Sequence, residues 1–232
     1  MSADLAFALE LADAADAISL PRFGALDLRV ERKPDLSPVT DADRGIEREL
    51  RTLVAERGEG FFGEEQGGDA GGVRWIVDPI DGTKNFTRGI PVWATLIALE
   101  REGELALGVV SAPALGRRWW AARGEGAFCN GAPIRVSRVS NLADAAVSAA
   151  LASDLAALED VAWHARGFGD FWQHALVAEG SLDAAVDYTL QLWDYAALVP
   201  IVEEAGGRTG FAGAGQFVST NGSIRLGRSG VG

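Results

Sequence analysis

The run Val73-Arg74-Trp75-Ile76-Val77 reads as a buried strand, and it leads directly into Asp78-Pro79-Ile80-Asp81-Gly82-Thr83-Lys84-Asn85-Phe86. Such a strand belongs in a core, yet its end carries two carboxylates, and buried charge is strongly disfavoured without a partner. Pro79 fixes the backbone between the acids, and Gly82 permits a sharp turn after them. Hard cations such as Mg2+ take oxygen ligands, which Asp78, Asp81 and the Ile80 carbonyl supply within one short stretch. A helix starting after Gly82 would set the amides of Gly82 and Thr83 beside that cation as an anion cradle. Asp-Pro and Asp-Gly are also common turn dipeptides, so either alone reads as a turn or a helix cap. The ordered set of strand, acids and helix entry is what points to chemistry.

The charge balance narrows the partners. With 33 acidic and 21 basic residues the formal net charge is -12. Such a surface repels nucleic-acid backbones and anionic membranes, so neither is expected as a partner. It repels a phosphate ester too, unless bound cations reverse the local field. The single cysteine, Cys129, excludes an intrachain disulfide and fits a cytoplasmic protein. Asp4, Glu10, Asp13 and Asp16 rule out a signal peptide at the start, and no apolar stretch is long enough to span a bilayer.

A chain of 232 residues can bury a sizeable core, as one large domain or two tightly packed lobes. The spacing of Leu5, Leu9, Ala12, Ala15 and Ile18 predicts a helix that Pro21 and Gly24 end. Leu26 to Arg32 alternates like a strand, and Lys33-Pro34-Asp35 reads as a turn. Thr40 or Asp41 caps a second helix with Ile46, Leu50, Leu53 and Val54 on one face. Residues 66–72 read as a mobile Gly-rich loop. Strands follow over 92–99, 104–110, 117–122 and 126–136. The second half predicts a strand over 145–151 and helices over 153–165, 171–178 and 195–204. Two further strands are expected over 208–212 and 216–219. Helix and sheet mix without regular alternation, which indicates α+β layers rather than a doubly wound sheet. The boundary between an N-terminal lobe, 1–140, and a C-terminal lobe, 141–232, falls near residues 138–146, the two forming one compact unit.

The Asp78–Phe86 segment resembles the signature of the inositol-monophosphatase-like phosphatases. Two further motifs stand in the family's order: Gly63-Glu64-Glu65 before it and Trp193-Asp194-Tyr195-Ala196-Ala197 after it. The resemblance runs from the Thr40-Asp41 region to about Asn221. It implies a layered αβαβα sandwich and a homodimer. It also implies hydrolysis of a small-molecule phosphate ester by metal-activated water, with two or three Mg2+ per site and Mn2+ as a substitute. By the same resemblance Glu64, Asp78, Ile80, Asp81 and Asp194 look like metal ligands, and Thr83 and Asp41 like the pair that orients the attacking water. For Asp41, helix capping is the competing reading. Neither Cys129 nor the histidines are needed for catalysis, and His164 and His174 read as surface or satisfied core.

Within the family, Lys84-Asn85-Phe86, Gly89-Ile90-Pro91-Val92-Trp93-Ala94-Thr95 and Arg166-Gly167-Phe168-Gly169-Asp170-Phe171-Trp172 look most like the histidinol-phosphatase branch. The resemblance places Asp187 where the family sets an acid on the substrate alcohol, able to pair with an ammonium. Lys84 and Arg166 join it as candidate substrate contacts, and Asp170, Trp93 and Trp172 as candidates for shaping the pocket. Two departures stand out: the segment between Val147 and Arg166 is short, and the family's final helix has no counterpart after Asn221. The alternatives are an inositol or sugar phosphatase and, in another class, a non-catalytic metal-binding protein on the same fold.

Overall fold

The structure is a computed structural model and describes residues 2–68 and 72–226. Ser2 caps the first helix, α1 (Ala3–Arg22), accepting from the Leu5 amide, and Leu5, Ala8, Leu11, Ala12 and Ala15 form its buried stripe. The strand expected from Leu26 shrinks to β1 (Val30–Arg32), which pairs antiparallel with β2 (Pro38–Thr40) around the turn at 33–37. Thr40, rather than Asp41, caps α2 (Asp41–Glu56) in a reciprocal capping box with Asp43.

The next strands build one large sheet. They are β3 (Gly60–Gly63), β4 (Gly67–Gly68), β5 (Val73–Asp81), β6 (Ala94–Arg101), β7 (Glu104–Ala112), β8 (Arg117–Ala122), β9 (Gly126–Cys129) and β10 (Ala132–Pro133). Their spatial order is β10-β9-β8-β7-β6-β5-β3-β4, and α3 (Thr83–Phe86) follows β5. Within this sheet, among the described residues, only β3 and β5 run parallel. Side chains alternate across the sheet. Trp75, Val77, Ile97, Leu99 and Val109 pack with α1 and α2. Ile76, Leu96, Ala98, Val110 and Trp119 fill the opposite core. Pairing of β5 with β6 shifts register between Asp78 and Asp81, so the signature acids sit on an irregular strand end.

The second half contributes β11 (Ala146–Ala149), α4 (Ala152–Glu159), β12 (His164–Arg166), α5 (Asp170–Ala178), β13 (Ala184–Tyr188), α6 (Leu192–Tyr195), α7 (Leu198–Glu204), β14 (Arg208–Ala212) and β15 (Gln216–Thr220). These strands form a sheet of order β12-β11-β13-β15-β14. Helices α5, α6 and α7 lie between the two sheets, α1 and α2 cover the outside of the first, and α4 covers part of the second. The result is an α+β sandwich layered αβαβα.

Two expected helices come out differently. The one over 153–165 stops at Glu159, because His164–Arg166 pairs parallel with β11 as an edge strand. The one over 195–204 is two short helices broken around Ala196-Ala197. In the expected mobile loop, Gly67 and Gly68 pair with β3, and residues 69–71 lie outside the described residues. So do residues 227–232 of the tail after Asn221. No described helix is long and apolar enough to cross a membrane.

Candidate active site

Glu64 follows β3 immediately, and the chain there is held from below. The fully buried Glu47 carboxylate on α2 accepts from the amides of Glu65 at 2.7 Å and Gln66 at 3.0 Å, and Arg51 pairs with it at 2.9 Å. A Cβ at Gly63 would lie 2.5 Å from that carboxyl carbon, so any side chain there would push the Glu47 carboxylate off these amides. Gly82 has φ +83, a left-handed conformation that lets β5 turn into α3.

Asp78, Asp81, Glu64 and Asp194 feel one another's charge. Burial first, then repulsion from Glu64, Asp81 and Asp194, raises the Asp78 pKa well above the usual carboxylate range. Asp81 is raised likewise, by burial and then by Asp170 and Asp194, against the opposing hydrogen bond from the Phe171 amide at 2.6 Å. Asp194 is pushed up to about 7 by burial and by Glu64, Asp187 and Asp170, although the Gln191 amide donates to it at 2.6 Å. Two adjoining cavities open on Asp81, Asp194 and Glu64, while Asp78 lies buried behind them. One, of about 380 Å3, is lined by Asp81, Lys84, Asp170, His174, Asp187 and Asp194, among others. The other, of about 240 Å3, is lined by Glu64, Gly82 and Thr83 and shares Ser37, Lys84 and Asp170 with the first.

Asp41 does not reach Thr83. Its carboxylate pairs with Arg22 at 2.8 Å, at the outer side of α2. Asp43 takes that place: it is fully buried, its Oδ2 accepts from Thr40 N (2.8 Å) and Oγ1 (2.5 Å), and its Oδ1 lies 3.4 Å from Thr83 Oγ1. Thr83 Oγ1 also lies 2.9 Å from the Ile80 carbonyl. Burial raises Asp43 to about 6 against the opposing Thr40 bonds. The signal was present in the sequence, since Thr40-x-x-Asp43 has capping-box spacing and turns the fourth residue back toward the cap.

Arg166 is not at the site. It is exposed, and its guanidinium bonds back to the Ala165 carbonyl at 2.7 Å. Lys84 lines both cavities. Asp187 accepts from Tyr188 N at 2.7 Å and Gln173 Nε2 at 2.8 Å, and burial lifts it to about 6. Asp170 enters α5 with φ +49, a strained angle for a residue with a Cβ, and faces both cavities. Lys33 escaped the sequence reading, and His174, read as surface or satisfied core, is a buried core residue that also lines a cavity. Lys33 bridges Glu64 (2.7 Å) and Glu65 (2.6 Å) from the β1–β2 turn. His174 lines the larger cavity, bonded to Ser219 at 2.9 Å, with Nε2 lacking a partner and burial lowering its pKa to about 3. Trp93 is fully buried beside Phe86 and Phe23 and belongs to the core.

The donor set suits hard divalent cations. It is all oxygen, Asp78 Oδ1 is buried with no hydrogen-bond partner among the described residues, and burial together with mutual repulsion raises the acids. In their present rotamers no three acidic, histidine or cysteine side chains among the described residues close around an ion. Glu64 is paired with Lys33 at 2.7 Å, Asp81 accepts from the Phe171 amide at 2.6 Å and Asp194 from the Gln191 amide at 2.6 Å.

Residues 1–230 match the inositol monophosphatase family. The chain belongs to that family. Among its relatives, a histidinol-phosphatase of Mycobacterium tuberculosis is 52% identical, the match covering 95% of this chain and 94% of that protein. An inositol-1-monophosphatase of Mesorhizobium japonicum is 35% identical over 87% of this chain and 82% of that protein. The crystal structure of the extragenic suppressor protein suhB from Bartonella henselae superposes with TM-score 0.89 at 32% identity, covering 97% and 96% of the two chains. The sandwich is therefore the inositol monophosphatase fold.

Proposed function

We propose that this chain is a Mg2+-dependent phosphomonoesterase whose substrate is histidinol phosphate. The observation that carries the reading is the acidic cavity beyond the candidate cation ligands. Asp170 and Asp187 stand there beside Asp194, in a pocket open enough for a small alcohol. A neutral polyol can only donate hydroxyl hydrogen bonds to these carboxylates, whereas the ammonium of histidinol phosphate adds a full opposite charge to the contact. The high identity to a histidinol-phosphatase supports the same substrate.

Glu64, Asp78, the Ile80 carbonyl, Asp81 and Asp194 would hold two or three Mg2+, with Mn2+ able to replace it. Bound there, the cations supply an acidified water and neutralise the phosphate. Thr83 and Asp43 orient the attacking water and accept its proton, a role that Asp43's raised pKa suits near neutral pH. The amides of Gly82 and Thr83 hold phosphate oxygens at the rim, and Lys84 adds a positive charge. Asp187 receives the substrate ammonium.

The testing experiment is phosphate release with Mg2+ over histidinol phosphate, inositol 1-phosphate, fructose 1,6-bisphosphate and adenosine 3′,5′-bisphosphate. Histidinol phosphate is expected to give the highest kcat/KM. A higher value for inositol 1-phosphate would move the substrate to the second reading, which the Mesorhizobium relative favours. No turnover of any ester would leave a non-catalytic binder. By family resemblance the enzyme is a homodimer, and sedimentation showing monomer alone at micromolar concentration would refute that.

A further inference from the structure

A third cavity adjoins the two at the candidate active site. It measures about 270 Å3 and shares Asp170 and Asp187 with the larger of them. Ala149, Ala150 and the turn Gly167-Phe168-Gly169 form the rest of its wall, and none of the candidate cation ligands lines it. Asp170 is the one residue common to all three cavities, so they meet around its side chain.

A buried chain of hydrogen bonds builds this wall. The Phe168 amide donates to Ser148 Oγ at 3.1 Å, Ser148 Oγ donates to Gln173 Oε1 at 2.7 Å, and Gln173 Nε2 donates to Asp187 Oδ2 at 2.8 Å. Ser148 and Gln173 are fully buried, so the turn and the Asp187 carboxylate are held in one fixed relation. Gly169 has φ +70, and a Cβ there would meet nothing within 4 Å. The wall therefore consists of small residues and one half-buried ring, Phe168, which packs edge-on against Trp172 at 5.4 Å. Asp170 supplies the acceptor. Its Oδ2 accepts from Asn85 Nδ2 at 3.3 Å, whereas its Oδ1 accepts no hydrogen bond among the described residues and keeps accessible surface.

We propose that this third cavity holds the imidazole ring of histidinol phosphate, an assignment that rests on the substrate reading above, and that Asp170 selects the ring. In that ester the ring branches from the carbon that bears the ammonium. With the ammonium on Asp187, the branch enters the third cavity, because Asp187 lines both this cavity and the larger one. The face of the ring lies against Phe168, and its N–H donates to Asp170 Oδ1. An ester without a ring leaves the cavity to water, and one with an apolar ring leaves Oδ1 without a donor.

The experiment is phosphate release with Mg2+ from three esters that share the phosphate and the ammonium: histidinol phosphate, phenylalaninol phosphate and 2-aminoethyl phosphate. It is read as ratios of kcat/KM, so that a general loss cancels. Wild type should prefer histidinol phosphate to each of the others by at least about tenfold. Ala150→Leu, at an exposed wall position, should cut the ratio of histidinol phosphate to 2-aminoethyl phosphate by at least about fivefold, because the added side chain takes the ring's space. Asp170→Asn keeps a residue type that tolerates the positive φ, and it should cut the ratio of histidinol phosphate to phenylalaninol phosphate by at least about fivefold. An unchanged ratio in either variant would overturn the assignment. A loss in Asp170→Asn shared equally by all three esters would give Asp170 the ammonium and end its selecting role. Faster wild-type turnover of inositol 1-phosphate than of all three would remove the substrate reading itself, and this assignment with it.

Discussion

Asp41 and Asp43 sit on the same first turn of α2, and the fold gives them different surroundings. Asp41 faces Arg22 at the surface, whereas Asp43 is buried between Thr40 and Thr83. If Asp43 and Thr83 direct the water, Asp43→Asn and Thr83→Ala should each lower kcat by about 10²–10⁴-fold with KM little changed, the usual scale of general-base loss. Asp41→Asn should stay within about threefold in kcat, since its half-buried pair with Arg22 does not reach Thr83. Steady-state kinetics of the three variants separates the aspartates, and a large loss in Asp41→Asn alone would restore the reading taken from the motif. Asp187→Asn should raise KM for histidinol phosphate more than for p-nitrophenyl phosphate, because only the former brings an ammonium worth about 1.5–3 kcal/mol in a charge-assisted bond. Equal losses would assign Asp187 to the scaffold.

At the scale of elements, local pattern and tertiary demand can be told apart. The apolar run before Asp78 is β5, and the Thr40 cap and helical stripes appear where spacing places them. These features depend on neighbours in the chain. The strand at His164–Arg166 does not: it exists because β11 offers an open edge, which no local pattern reveals. The role of Lys33 was illegible for the same reason, since Glu64 meets it only after folding. Arg166 had the reverse fate, marked by its motif and turned away by its strand. The Glu47 brace under Glu64 is also tertiary and makes a sharp prediction. In Glu47→Gln an amide NH2 replaces one of two acceptor oxygens, of which Oε1 serves Gln66 N and Arg51 and Oε2 serves Glu65 N. The cost should be about 2–4 kcal/mol. Thermal denaturation should show a Tm lowered by about 5–12 °C, with weaker Mg2+ binding. An unchanged Tm would mean that the brace is redundant.

For the whole molecule, the crowded acids link pH, cations and stability. Asp43, Glu65 and Asp187 are raised to about 6 and Asp194 to about 7, chiefly by burial. The folded state thus binds protons more tightly than the unfolded chain, where carboxylates titrate near 4. Stability from this source is fully present below pH 4 and is lost as pH rises through 6 to 7. The cation-free protein should therefore have a lower Tm at pH 8 than at pH 5.5. Mg2+ should reverse the order, since it binds the ionised acids and releases protons. At about 100 times its Kd it contributes about 2.7 kcal/mol, or about 5–10 °C for a chain of this size. A Mg2+ shift larger at pH 5.5 than at pH 8 would contradict the carboxylate assignment. The chain's formal charge of -12 poses a matching problem for an anionic ester, which bound cations would solve locally.

The most direct measurement is phosphate release from histidinol phosphate by wild type and Asp78→Asn, each with Mg2+ and with excess EDTA, after circular dichroism shows both folded. Wild type should turn over only with Mg2+, and Asp78→Asn should fall at least about 10³-fold with Mg2+ present, the loss expected when the group anchoring the catalytic cations is removed. Undiminished wild-type turnover in EDTA, or near-normal turnover by folded Asp78→Asn, would contradict the account.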